Sequence, residues 1–215
     1  MKNKTGNFLV NNAQLERGNG TADFNYIENG SFNNSNNHWE GATLVTDSIN
    51  GEDVNAVKLT GGLPSYANNT LTDNVSSVTQ TVKINGKKDE IFSVGGWFKG
   101  QFDDNHITGE VDAATSQAVN SLAQIKVSYS YAETTTDENG NETTETKTEI
   151  FAVDFAPNND GWQYAVDSFA LKAEVTTVDV TVMAKNIITD SFATNISVVK
   201  DRALCLSMAA FLNNP

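Results

Sequence analysis

The feature that most constrains this chain is a two-residue alternation of apolar and polar side chains that recurs along it. Between residues 91 and 99, Phe92, Val94, Gly96 and Phe98 alternate with Ser93, Gly95, Trp97 and Lys99. Successive side chains of a β-strand point to opposite faces, so one face of this run is built for a core and the other is not. Ile125, Val127, Tyr129 and Tyr131 against Lys126, Ser128 and Ser130 repeat the pattern, as do Val178, Val180, Val182 and Ala184. About eleven runs read as strands: 8–15, 24–27, 39–46, 54–60, 75–84, 91–99, 124–132, 146–155, 162–171, 175–185 and 192–199. They predict an all-β fold, a sandwich of two antiparallel sheets arranged as a jelly roll.

Composition agrees. Asn supplies 27 of the 215 residues and Thr is nearly as common. Thr and Val suit a pleated surface, and Asn and Gly supply the positive φ of tight turns. With only 3 prolines, strands are rarely interrupted. A chain of this length can close one core without disulfides or metal, and the single Cys205 has no internal partner. The net charge of -13 makes a nucleic-acid backbone or an anionic lipid surface an unfavourable partner. The longest apolar run, 203–212, is about half of a bilayer span, so no membrane insertion is expected, and no signal peptide is evident.

The chain divides into an N-terminal arm with a strand and linker at 1–22, a sandwich at 23–201 and an apolar tail at 202–215, expected to pack on its own domain or meet a neighbour. Within the sandwich, 101–122 reads as a long polar loop or as a loop with a short helix around 113–123. Residues 129–151 read as one long hairpin whose acidic tip, 137–142, contains Asn139-Gly140. Its charge is expected to serve solubility and edge protection, with a cation site as the alternative. Residues 8–17 resemble 192–200, a hint of internal repetition.

Five segments then occur in a telling order: Asn25-Tyr26-Ile27-Glu28-Asn29-Gly30-Ser31-Phe32 with His38-Trp39; Gln80-Thr81-Val82; the 91–99 strand; Gly161-Trp162-Gln163-Tyr164; and Thr194-Asn195-Ile196-Ser197-Val198. Together they resemble jelly-roll carbohydrate-binding modules of the family 4/9/22 type, with a galactose-binding-like fold. The nearest variant is that of Gram-positive surface proteins with Rhs or YD repeats, where copies are joined by a segment similar to 11–18. The resemblance implies a non-catalytic module that binds a glycan or cell-wall polysaccharide. It also implies neighbouring domains in a longer surface protein and an extracellular or cell-surface location. It further implies a structural calcium at Asn33 and Thr194, positions where the family carries carboxylates. Calcium takes about six to eight oxygens and favours carboxylate charge, so these neutral residues predict a weakened, backbone-assisted site.

Little in the sequence suggests catalysis. His38 lies in an Asn-rich turn and His106 follows Asp103 and Asp104, with no nucleophile defined beside either. No Gly-x-Ser-x-Gly elbow or phosphate loop is present. Paired carboxylates could hydrolyse a glycosidic bond, but among 27 acidic residues some pair will meet the spacing by chance. Binding has better material. If Phe92, Val94 and Phe98 point inward, Trp97 points outward with Lys99, as a platform for the C–H face of a sugar. Gln124, Lys126, Asp104 and His106 are the candidate polar partners, the first two only if their strand shares Trp97's sheet. The alternative is that the 101–122 loop covers Trp97 and the protein is a spacer or adhesion module without a sugar site; a glycoside hydrolase is third. Trp39 is expected to cap one end of the sandwich, and Trp162, with Tyr164 and Val166, to pack inside.

Overall fold

The computed structural model describes residues 25–68, 70–102, 120–157 and 161–201. It contains eleven strands among them: β1 (Thr43–Ile49), β2 (Glu52–Leu59), β3 (Ser65–Ala67), β4 (Thr70–Thr72), β5 (Val75–Gly86), β6 (Ile91–Lys99), β7 (Leu122–Thr136), β8 (Glu142–Asp154), β9 (Gln163–Ala170), β10 (Val175–Lys185) and β11 (Ser191–Lys200). Two antiparallel sheets stack in the order β1-β2-β11-β6-β9 and β5-β10-β7-β8, a jelly-roll sandwich with a small β3-β4 hairpin at its side. No helix occurs among the described residues.

The alternation decides what lies between the sheets. Phe92, Val94 and Phe98 of β6, Ile125 and Val127 of β7, and Val178, Val180 and Val182 of β10 are all buried in one core. Phe98 stacks on Phe155 at 4.9 Å between ring centroids, and Phe169 bridges Phe92 and Phe151 at 6.0 and 5.2 Å. Gly96 is needed where these layers meet, because a Cβ there would lie 2.6 Å from Ile196 Cδ1 and 2.9 Å from Ile125 Cδ1.

The opening segment, 25–42, contains no strand, contrary to the expected strands at 24–27 and through the start of 39–46. It binds instead at a β-bulge in β11. Pairing with β6 shifts by one residue between Thr194 and Ser197, and Asn195 there has φ of 52°. A bulge frees backbone groups from the ladder. The Ile196 N–H donates to Gly30 O at 3.0 Å, and the Tyr26 N–H to Val198 O at 2.8 Å. Asn25 completes the attachment, accepting from the Val198 N–H and donating to Ile196 O. Farther along, Trp39 is fully buried, its ring 5.4 Å from that of Phe32.

The β7-β8 hairpin is present, but its connection is five residues, 137–141, rather than a two-residue Asn-Gly turn. Asp137 organises it by accepting from the Asn139 and Asn141 N–H groups, and only Gly140 takes positive φ. The β3-β4 hairpin has no counterpart in the sequence reading, since Ser65–Ala67 and Thr70–Thr72 are too short to show a period. The N-terminal arm, the helix expected near 113–123 up to residue 119, and the apolar tail lie outside the described residues. Truncating the central ring by Phe98→Ala should cost about 3–5 kcal/mol of unfolding free energy, read by urea denaturation.

Candidate functional site

Strand β6 lies inside its sheet, between β11 and the edge strand β9, so its outward residues are framed on both sides. Trp97 is opposite Tyr164 of β9 and Thr194 of β11. The Trp97 and Tyr164 rings are 5.5 Å apart and inclined by 49°. Tyr164 is 50% exposed, and Val166 beside it is 53% exposed. Trp97 itself is half-buried. Gly95 makes the floor: a Cβ there would lie 2.7 Å from Ala165 O and 2.9 Å from Val166 Cβ, so its missing side chain lets β9 close on β6, with Tyr164 Oη 3.1 Å from the same point.

Lys99, two residues along the same face, reaches over to β1, where its Nζ is 2.7 Å from Asp47 Oδ2. Strands β11 and β2 lie between the two, so the ion pair arches across them. The other Asp47 oxygen accepts from the Ser48 N–H at 2.8 Å. The hydrogen bond from Lys99 is the main reason the Asp47 carboxyl titrates below its usual range, supported by the Ser48 N–H and by the charge on Lys99 against a modest cost of burial. The indole N–H of Trp162 adds a weaker pull on Asp47. It falls short of hydrogen-bond geometry, and Trp162 Nε1 is buried without a partner. Lys58, on the same face, pairs with Asp190, whose second oxygen accepts from the Gly61 N–H at 3.0 Å.

Trp97 and Lys99 are thus brought together, and Gln124 and Lys126 are not. Both lie on β7 in the other sheet, facing out from it, so the whole core separates them from Trp97. Gln124 Nε2 donates to Asp154 at 2.6 Å. The shared-sheet condition fails because alternation orients a side chain within its strand but does not assign the strand to a sheet. Asp104 and His106 lie outside the described residues. A separate concavity of about 370 Å³ is lined by Tyr26, Glu28, His38, Glu40 and Lys83, where His38 Nδ1 is 2.8 Å from Glu28 Oε2.

Trp162 and Tyr164 are the residues that sequence reasoning misplaced. They and Val166 were expected inside, whereas Ala165, Phe169 and Leu171 take the inward positions. The signal was there in Phe169 and Leu171, two large apolar residues of the other parity. Asp47 carried no signal, because its partner is 52 residues away.

Asn33 and Thr194 do come together, through Asn55. Its Nδ2 donates to Asn33 Oδ1 at 3.1 Å, and the Thr194 hydroxyl donates to Asn55 O at 2.6 Å. Calcium needs oxygens free to donate lone pairs and charge to offset its own. Here the acceptors are already occupied by N–H and O–H donors, and no carboxylate takes part in these contacts. Among the described residues no group of three His, Cys, Asp or Glu is placed to hold a metal. These residues do not fit a calcium shell; they form a neutral clasp between the opening segment and β2 and β11.

The fold and this surface define an all-β jelly-roll module with an aromatic pair on the outer face of its five-stranded sheet. No family model matches the sequence, and no curated protein is similar to it. Solved structures are similar. The family 16 carbohydrate binding module-2 shares 19% identity at a TM-score of 0.45, over 81% of this chain and 99% of that one. TmCBM61, solved with β-1,4-galactotriose, shares 14% identity at 0.41, over 83% and 99%. The enzymatically active domain of tailspike protein 4 of bacteriophage CBA120 shares 13% identity at 0.49, over 82% of this chain but only 21% of its own. At these identities and scores the likeness is one of architecture and does not extend to the Rhs/YD-repeat variant.

Two outcomes follow from this geometry. Adding calcium or EDTA should leave the thermal midpoint unchanged, whereas Asn55→Ala should lower stability by about 1–2 kcal/mol through loss of the clasp's side-chain bond. Because Asp47 titrates low when folded, its stabilisation is complete above the ordinary carboxylate pKa of about 4 and is lost as pH falls through the lowered value. The gap in melting temperature between wild type and Asp47→Asn should therefore close below that pH, as scanning calorimetry across acid pH would show.

Proposed function

We propose that this protein is a non-catalytic module that binds glycan weakly on the outer face of its five-stranded sheet, with Trp97 and Tyr164 as the platform. The observation that carries the reading is the aromatic pair itself: two rings in contact, inclined by 49°, one of them 50% exposed, on the edge strand β9 and its neighbour β6, facing away from the core. A pyranose offers C–H groups that pack on such rings, and its hydroxyls need nearby donors and acceptors. Lys99 and Asp47 stand beside the pair as polar neighbours. Two rings inclined to each other suit a twisted single chain better than a flat crystalline surface. Affinity is weak because the sugar hydroxyls must shed water before stacking yields a gain. The same reading takes the partner as a neutral glycan or cell-wall polysaccharide, the setting as extracellular or cell-surface, and the chain as one module among neighbouring domains.

A spacer or adhesion role without a sugar site is the second reading, favoured by the half-buried state of Trp97 and by Lys99 being engaged with Asp47. Calorimetric titration with soluble glycans, backed by a glycan array, separates the two. Trp97→Ala should weaken binding about tenfold or more, and Tyr164→Ala should weaken it by less. Absence of binding to every sugar leaves the spacer.

A further inference from the structure

Both described lysines on the outer face near the aromatic pair are neutralised in the same way. Asp47 divides its oxygens between Lys99 and the Ser48 N–H, and Asp190 divides its oxygens between Lys58 and the Gly61 N–H. A carboxylate held by a backbone donor keeps its place when a ligand arrives, so it cannot swing away to release its lysine. Lys99 is only two residues from Trp97, about 7 Å along the strand. Left free, its ammonium would be the natural anchor for a sugar carboxylate stacked on that indole. With Asp47 fixed against it, an incoming carboxylate meets a like charge at the same spot.

Building on the glycan-binding reading, we propose that Asp47 is a specificity-determining residue that cancels Lys99 and restricts the aromatic site to neutral glycans, excluding uronate-bearing ones. Asp47 need not touch the sugar to do this. It acts by occupying Lys99. The net charge of -13 works in the same direction at long range, but it cannot distinguish one variant from another as the local pair can.

The experiment is affinity electrophoresis and calorimetry with β-1,4-galactan, β-glucan and xylan, each alongside its carboxymethylated form, at low and high salt. Wild type should bind the neutral form of whichever polymer it recognises at least about tenfold more tightly than the charged form. Asp47→Asn should narrow that gap about tenfold, and the gain should vanish at high salt. Asp47→Asn with Lys99→Met should lose the gain again, the discrimination of each variant being taken as the ratio of its own affinities for the neutral and the charged polymer. Folding of each variant is checked by its melting transition. Equal wild-type affinity for both forms overturns the proposal, as does a folded Asp47→Asn protein with no gain. Should Asp47→Asn not fold, wild type decides alone: affinity for the charged polymer that falls as salt rises would mean Lys99 is available, and overturns it. Failure to bind any neutral polymer removes the underlying glycan-binding reading, a result distinct from binding without discrimination.

Discussion

The structure depends on the two-faced packing of β6, an interior strand of the five-stranded sheet. Phe92, Val94 and Phe98 are fully buried on one side of it, and the strand is paired along both edges. A slip of one residue would drive Trp97 between the sheets and push Phe98 into solvent, so the core locks the register. Trp97 faces outward for that reason, before any ligand is considered. The same locked register sets it against Tyr164, and the bare Gly95 lets β9 close on β6.

The bulge at Asn195 is the second consequence of this packing. β11 must send Ala193 inward before the bulge and Ile196 and Val198 inward after it, and the extra residue between them resolves the conflict. The N–H it frees is the one that holds the opening segment. The clasp of Asn33, Asn55 and Thr194 closes the same seam with neutral hydrogen bonds. A charged seam would need a cation to be stable; a neutral one is satisfied within the chain.

Four of the described lysines are held in fixed local pairs. Lys58, Lys99, Lys185 and Lys200 each meet a carboxylate whose second oxygen is already occupied by another N–H donor. Such half-exposed pairs add little to stability in water. Their larger effect is on the character of the surface, which presents dipoles at these four positions where free cations could have stood. On the glycan-binding reading, that leaves hydrogen bonding and stacking as the means of recognition near the aromatic rings.

Much of the fold was legible because alternation is a local property. The runs in β6, β7 and β10 showed their faces directly, and Trp97 outward followed from three buried neighbours. Where both parities of a strand carry apolar residues, as in β9, local pattern misled, and Trp162 and Tyr164 were taken for core. Gln124 and Lys126 were misplaced for another reason: a strand's period orients its side chains but does not say which sheet the strand joins. The sequence alone therefore determined that there would be two layered sheets, and that an indole would stand on the outside of one. Tertiary structure alone decided what stands next to it, because Tyr164 and Asp47 arrive from strands distant in the chain, through backbone pairing and a side-chain reach that no local spacing encodes.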